Sequence, residues 1–109
     1  MNDSIKHLEH WIRSFNGKDL DAVVDCYAVD AVNFQIATNE PSVGREQIRA
    51  DTEQFFVGFP DAWAKIENLM ADGDWAAWEW VGGGTFLGEF YGNPPTGRAF
   101  EIRGCGFFN

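Results

Sequence analysis

Gly82-Gly83-Gly84 lies inside a stretch, Trp75 to Gly92, whose other residues favour a strand. Glycine has no side chain to pack, so each one weakens a strand interior. Three in a row need a compensating use, and two are open. Glycine permits the dihedrals of a bulge, and bulges and glycine kinks curve a sheet. A sheet curled over helices makes a cone, and a cone has a cavity. Glycine also allows close backbone packing, here against a helix.

The rest of the chain supplies the helices such a sheet would wrap. Ile5, Leu8, Ile12 and Phe15 repeat at helical spacing, with Trp11 on the same face. Asn16-Gly17 is expected to end this helix, with Gly17 as the left-handed cap. Asp19 is placed to cap a second helix, whose apolar face is Leu20, Val23, Val24 and Tyr27. Ala31–Ala37 reads as a strand, and Pro41 and Gly44 punctuate a loop. Arg45–Phe56 reads as a third helix with Ile48, Thr52, Phe55 and Phe56 inward, and Pro60 follows it. Ala62–Ala71 alternates as a strand, Asp72-Gly73-Asp74 is a hairpin turn, and Trp75–Gly92 and Arg98–Asn109 are further strands. The expected class is α+β: a curled antiparallel sheet wrapped around N-terminal helices, in a single domain spanning residues 1–109.

Charge and composition narrow the partners. The net charge is −9, which repels phosphate backbones and anionic lipid, so neither nucleic acid nor a membrane is expected as a partner. No apolar run approaches the ~20 residues needed to span a bilayer, and the N-terminus lacks a basic-then-apolar signal. A cytoplasmic location with reduced core thiols at Cys26 and Cys105 is expected. Ten Phe and five Trp imply an aromatic core or an aromatic pocket. The glycine triplet opens no helix, so it is no dinucleotide fingerprint, and no cofactor is expected.

Three segments carry a resemblance: DGDWAAWEW, then GTFLGEFYGNPPTG, then FEIRGCGFF. With FNGKDLDAVVDCYAVDA, VGREQIR and FPD in that order before them, the chain from Ile5 to Asn109 resembles the SnoaL-like polyketide cyclase group of the nuclear transport factor 2-like superfamily. The resemblance implies a cone-shaped α+β barrel with an apolar pocket, commonly dimeric. Relatives include ketosteroid isomerases, polyketide cyclases, epoxide hydrolases, dehydratases and non-catalytic members. The enzymes among them place acids and hydrogen-bond donors in an apolar cavity, where a carboxylate moves a proton and a neutral donor steadies the developing charge.

Carried over residue by residue, that chemistry is missing. Where steroid isomerases have a first-helix tyrosine, this chain has Trp11. Where they have the base aspartate, it has Gln35. Phe86 stands where the cyclases have a histidine, and Gly106 where both groups have an aspartate. The resemblance therefore implies a module that binds a small apolar ligand or dimerises without the classical acids. The alternative is an isomerase, cyclase or hydratase acting on a polyketide- or steroid-like molecule through other pocket residues.

The expected pocket comprises Trp11, Phe15, Phe55, Trp80 and Phe86, with Asn33 and Gln35 as polar residues sharing one strand face. The two carboxamides either orient a carbonyl or water, or satisfy backbone groups at the rim. His7 and His10 sit off the apolar line of the first helix, on a solvated face, and no metal site is expected. Glu79 faces away from Trp78 and Trp80, and Glu89 and Glu101 read as surface charges. Family members add one more strand after the segment matching Ala99–Asn109, so the chain reads as C-terminally short. The strand with Phe100, Ile102, Cys105 and Phe107 would then have an open edge, and a homodimer that covers it is expected.

Overall fold

The computed structural model describes residues 3–34 and 40–109. Helix α1 (Asp3–Asn16) presents Leu8 and Ile12, both buried, and the half-buried Trp11 to the sheet, and its half-buried Phe15 to Phe55 and Phe56 further along the chain. It stops where Gly17 N donates to Arg13 O, but the left-handed residue is Lys18 (φ 57°), not Gly17 as the sequence suggests. Lys18 is held there by its own ammonium, which donates to Asn16 O and Ala62 O. Asp19 caps α2 (Leu20–Asp25), its carboxylate accepting from Ala22 N at 3.1 Å. This helix is shorter than its apolar pattern suggests, and Tyr27 lies in the turn beyond it.

Two short strands follow, β1 (Val32–Phe34) and β2 (Pro41–Val43), paired antiparallel. The sequence reads Pro41–Gly44 as loop; Pro41 is nevertheless accommodated at the start of a strand, opposite Phe34. The far part of the expected Ala31–Ala37 strand lies outside the described residues. Helix α3 (Arg45–Gly58) buries Ile48 to 1 % exposure.

The main sheet is a meander of β3 (Trp63–Asp72), β4 (Trp75–Thr85) and β5 (Ala99–Phe108), in the order β3-β4-β5. Gly73 (φ 58°) makes the hairpin turn between the first two. Strand β4 ends at Thr85 rather than running on to Gly92, and residues 86–98 leave the sheet as an excursion. Leu87 N and Gly88 N both donate to Gly58 O, which ties the excursion to the end of α3. Ile66, Leu69, Ala71, Ala76, Trp78, Trp80 and Phe108 pack with Leu8, Trp11 and Ile12 to form the core between sheet and α1. The outer face carries Lys65, Met70, Trp75, Glu79, Arg103, Cys105 and Phe107, all exposed. Cys105 is thus a surface thiol, not a core one, and both cysteines are free.

The glycine triplet has the second of its two open uses, though the close neighbours are strands and a loop rather than a helix. Pairing of β4 with both neighbours runs unbroken through Gly82 and Gly83, and the irregularity lies opposite, between Ile66 and Asn68 in β3. A Cβ on Gly82 would come 2.8 Å from Trp63 O, and one on Gly83 would overlap Phe100 O. One on Gly84 would come 3.2 Å from Ala62 Cα. The glycines let two backbones and the Trp63 indole approach closer than any side chain allows.

Candidate functional site

The aromatic rings form one connected run across three layers. Trp11 stacks on Phe15 at 5.2 Å and meets Trp78 edge-on at 5.6 Å. Phe15 touches Phe55 and Phe56 of α3, at 5.8 and 5.5 Å. Phe55 touches Phe59, and Phe59 contacts Phe86, Phe90 and Phe100 at 5.2–5.4 Å. Four of the expected pocket residues, Trp11, Phe15, Phe55 and Phe86, therefore belong to this run. Trp80 lies in the adjoining core, across Gly104. Asn33 is half-buried and pairs with Ser42 across β1 and β2. Gln35 lies outside the described residues.

Within this apolar surround, the Trp11 indole nitrogen is buried with no hydrogen-bond partner among the described residues. An amide-like N–H left in this state costs about 1–3 kcal/mol. Tyr27 is a polar neighbour that feels it. Burial raises the Tyr27 pKa, the Trp11 N–H acts in the opposite direction, and Cys26 adds a smaller upward push. The Trp11 N–H therefore lies close enough to the Tyr27 phenol oxygen to be felt by it, though outside hydrogen-bonding geometry.

Two glycines of β5, one of them Gly106, where the resemblance would put an aspartate, have no room for a side chain. Gly106 pairs with Trp78 across β4 and β5, and a Cβ on it would come 2.8 Å from Trp78 Nε1. A Cβ on Gly104 would come 2.6 Å from Trp80 Cε2. The indole rings occupy the space that larger side chains on β5 would need. The remaining sequence candidates lie at the surface. His7 donates from Nε2 to Cys26 O at 2.6 Å, and His10 is exposed. Glu79 accepts from Asn68 Nδ2 at 2.7 Å on the outer face. Glu89 and Glu101 are exposed. Among the described residues no cluster of His, Cys, Asp or Glu could hold a metal ion.

Two depressions of about 260 and 320 Å³ lie on the surface, away from the aromatic run. One lies between α1 and the end of β5, beside His7 and Phe108. The other is on the outer face, beside Met70, Trp75 and Phe107. Neither is lined by Trp11, Phe15 or Phe55, so neither coincides with the expected pocket.

Sequence reasoning missed a polar junction at the edge of the run. Asp51 of α3 accepts from the buried Ser42 hydroxyl with one oxygen and from the Tyr91 hydroxyl, at 2.8 Å, with the other. Nothing in the local sequence links these three residues, because only tertiary folding brings β2, α3 and the excursion together. Desolvation, and then the hydrogen bond to Asp51 and its charge, push the Tyr91 pKa up to about 12. The neutral phenol is thus favoured by folding. Its contribution to stability is complete below the ordinary tyrosine pKa of about 10 and is lost as pH rises towards 12. The stability gap between the native chain and Tyr91→Phe, from urea unfolding, should be constant below about pH 9 and shrink above about pH 10. A gap that does not change with pH would show that the Tyr91–Asp51 bond is not maintained in solution.

The family model described as SnoaL-like polyketide cyclase matches residues 5–109. No curated protein sequence matches the chain. Solved structures do. IdmH from Streptomyces antibioticus, assigned as a polyketide cyclase, is 28 % identical with a TM-score of 0.80, over 97 % of this chain and 81 % of its own. TsrD from Streptomyces laurentii is 22 % identical at TM-score 0.81, covering 99 % and 80 %. AclR from Streptomyces galilaeus, assigned as a hydroxylase, is 20 % identical at 0.80, covering 96 % of this chain. The chain spans 65 % of the length of AclR. The last two likenesses establish the fold: the helices and curled sheet are the cone expected from the sequence.

Proposed function

The chain belongs to the SnoaL-like polyketide cyclase family, and on that premise we propose that its cone takes a small apolar molecule bearing one hydrogen-bond acceptor. The molecule is held by aromatic contact and oriented by the Trp11 N–H, without the proton abstraction of the classical enzymes. The observation that carries the reading is the buried Trp11 nitrogen beside Phe15 and Trp78, which has no hydrogen-bond partner among the described residues. A ligand carbonyl would relieve its desolvation cost. In support, the Trp78 ring takes the space a side chain at Gly106 would need, and Phe86 brings no acid or base where the resemblance would put one.

Titrating intrinsic fluorescence with planar aromatic ketones and with hydrocarbons of the same shape tests this. Trp11→Phe keeps the ring and removes the donor. It should weaken ketone binding about 3- to 10-fold, the value of one neutral hydrogen bond, and leave hydrocarbon binding unchanged. Equal effects on both ligand classes, or no binding of either, would refute the reading. The catalytic alternative of an isomerase, cyclase or hydratase would use the Tyr27 phenol, which lies near the Trp11 N–H, as its proton donor. Turnover of a ketosteroid or polyketide-like substrate at enzymatic rates, lost in Tyr27→Phe, would select it.

A further inference from the structure

Asn16-Gly17 is the one Asn-Gly pair in the chain, and both residues are exposed at the end of α1. The Asn16 amide plays the part of a neighbouring strand for β3. Its Nδ2 donates to Ala64 O at 2.9 Å, and its Oδ1 accepts from Ala64 N at 2.8 Å. Each bond needs a different half of the carboxamide, and a carboxylate can make only the second. Around this tie the helix end is closed by Gly17 N to Arg13 O, Lys18 N to Phe15 O and Asp19 N to Ser14 O, each at 3.0 Å. Lys18, left-handed at φ 57°, braces the turn by donating from Nζ to Asn16 O and Ala62 O. In an Asn-Gly pair the glycine nitrogen attacks the preceding side chain readily, because glycine has no Cβ to crowd the approach. The amide of this chain most open to that attack is therefore the group that joins α1 to β3.

We propose that Asn16 is a self-modification site, at which deamidation unties the end of α1 from the edge of β3. Gly17 N loses its proton to hydroxide and bonds to Asn16 Cγ. The Cγ–Nδ2 bond breaks, and the nitrogen leaves as ammonia. Water then opens the five-membered imide. Breaking the bond from Gly17 N to Cγ gives aspartate, and breaking the bond from Gly17 N to the Asn16 backbone carbonyl carbon gives isoaspartate. Nothing is oxidised or reduced, and the loss of ammonia makes the change one-way. In the closed helix end both reactants are occupied, Gly17 N by Arg13 O and the Asn16 amide by Ala64. Opening of the last turn frees both while the sheet stays folded, because helix ends open locally at lower cost than a strand ladder. Either product breaks the tie. Aspartate turns a carboxylate oxygen towards Ala64 O and adds a negative charge at the negative end of the α1 dipole. Isoaspartate also inserts a carbon into the main chain, which puts the three closing bonds of the turn out of register.

Mass spectrometry of the chain aged at neutral pH and body temperature tests the modification. The tryptic peptide Ser14–Lys18, in which Asn16 is the one asparagine, should gain one mass unit. The gain should quicken as the pH is raised, because the attacking nitrogen must lose its proton. In urea, where the turn stays open, conversion should be about tenfold faster or more. Compared in urea, where folding plays no part, Gly17→Ala should slow conversion about tenfold or more, since its methyl group crowds the attack. Asn16→Asp supplies one product directly. Hydrogen exchange of its Gly17, Lys18 and Asp19 amides should be about 3- to 10-fold faster than in the native chain, the value of one neutral hydrogen bond. Exchange in the β4–β5 ladder should stay unchanged. A folded chain that gains no mass while the urea-unfolded chain converts overturns the proposal. So do equal rates in the folded and unfolded chain, a rate indifferent to Gly17→Ala, or an Asn16→Asp chain whose helix-end amides exchange like the native ones.

Discussion

Trp78→Ala should cost about 3–5 kcal/mol in urea unfolding, a large part of the total stability of a domain this size. Trp78 is only 6 % exposed. Its ring meets Trp11 edge-on at 5.6 Å and Phe108 at 5.7 Å, and it covers Gly106. Removing it opens a hole bounded by α1, β4 and β5 at once, which a rigid sheet closes poorly. Trp78→Phe keeps most of the contact and should lose clearly less. A loss below about 1 kcal/mol for the alanine variant would mean that the indole is not the keystone of the sheet–helix contact.

Gly83→Ala should destabilise the fold by about 1–3 kcal/mol or more, although alanine alone is no poor strand residue. The added methyl would collide with the carbonyl of Phe100 and come 3.1 Å from Trp63 Nε1. A ladder carbonyl cannot move aside without breaking the β4–β5 pairing, so the strain stays in the sheet. Gly84→Ala meets nothing closer than 3.2 Å and should cost less. If the two variants are equally stable in denaturant, close approach is not why the triplet exists.

Periodic and local features were legible in the sequence. The α1 stripe of Leu8, Trp11, Ile12 and Phe15, the Asp19 cap and the Gly73 turn need only neighbours in sequence. The two uses of the glycine triplet could not be separated, because what approaches Gly83 is Phe100 and Trp63, both distant along the chain. Strand β4 appeared too long because Phe86, Phe90 and Tyr91 look like strand residues. They leave the sheet because Phe59 and Asp51 offer them tertiary partners. The site was legible as an aromatic face, but Phe56, Phe59, Phe90 and Phe100 were not assigned to it. The displacement of family acids was visible as Gly106. The reason, a tryptophan ring across the strand filling the space, required the register.

The most direct test of the account reads the Trp11 N–H itself. In a nitrogen-15 spectrum, the Trp11 indole resonance is identified as the one absent from Trp11→Phe. Titration with a planar aromatic ketone should move its proton downfield as a hydrogen bond forms, while a hydrocarbon of the same shape perturbs it only through ring currents. A Trp11 resonance that responds identically to both, or to neither while other indoles shift, would contradict the claim that this nitrogen orients a ligand.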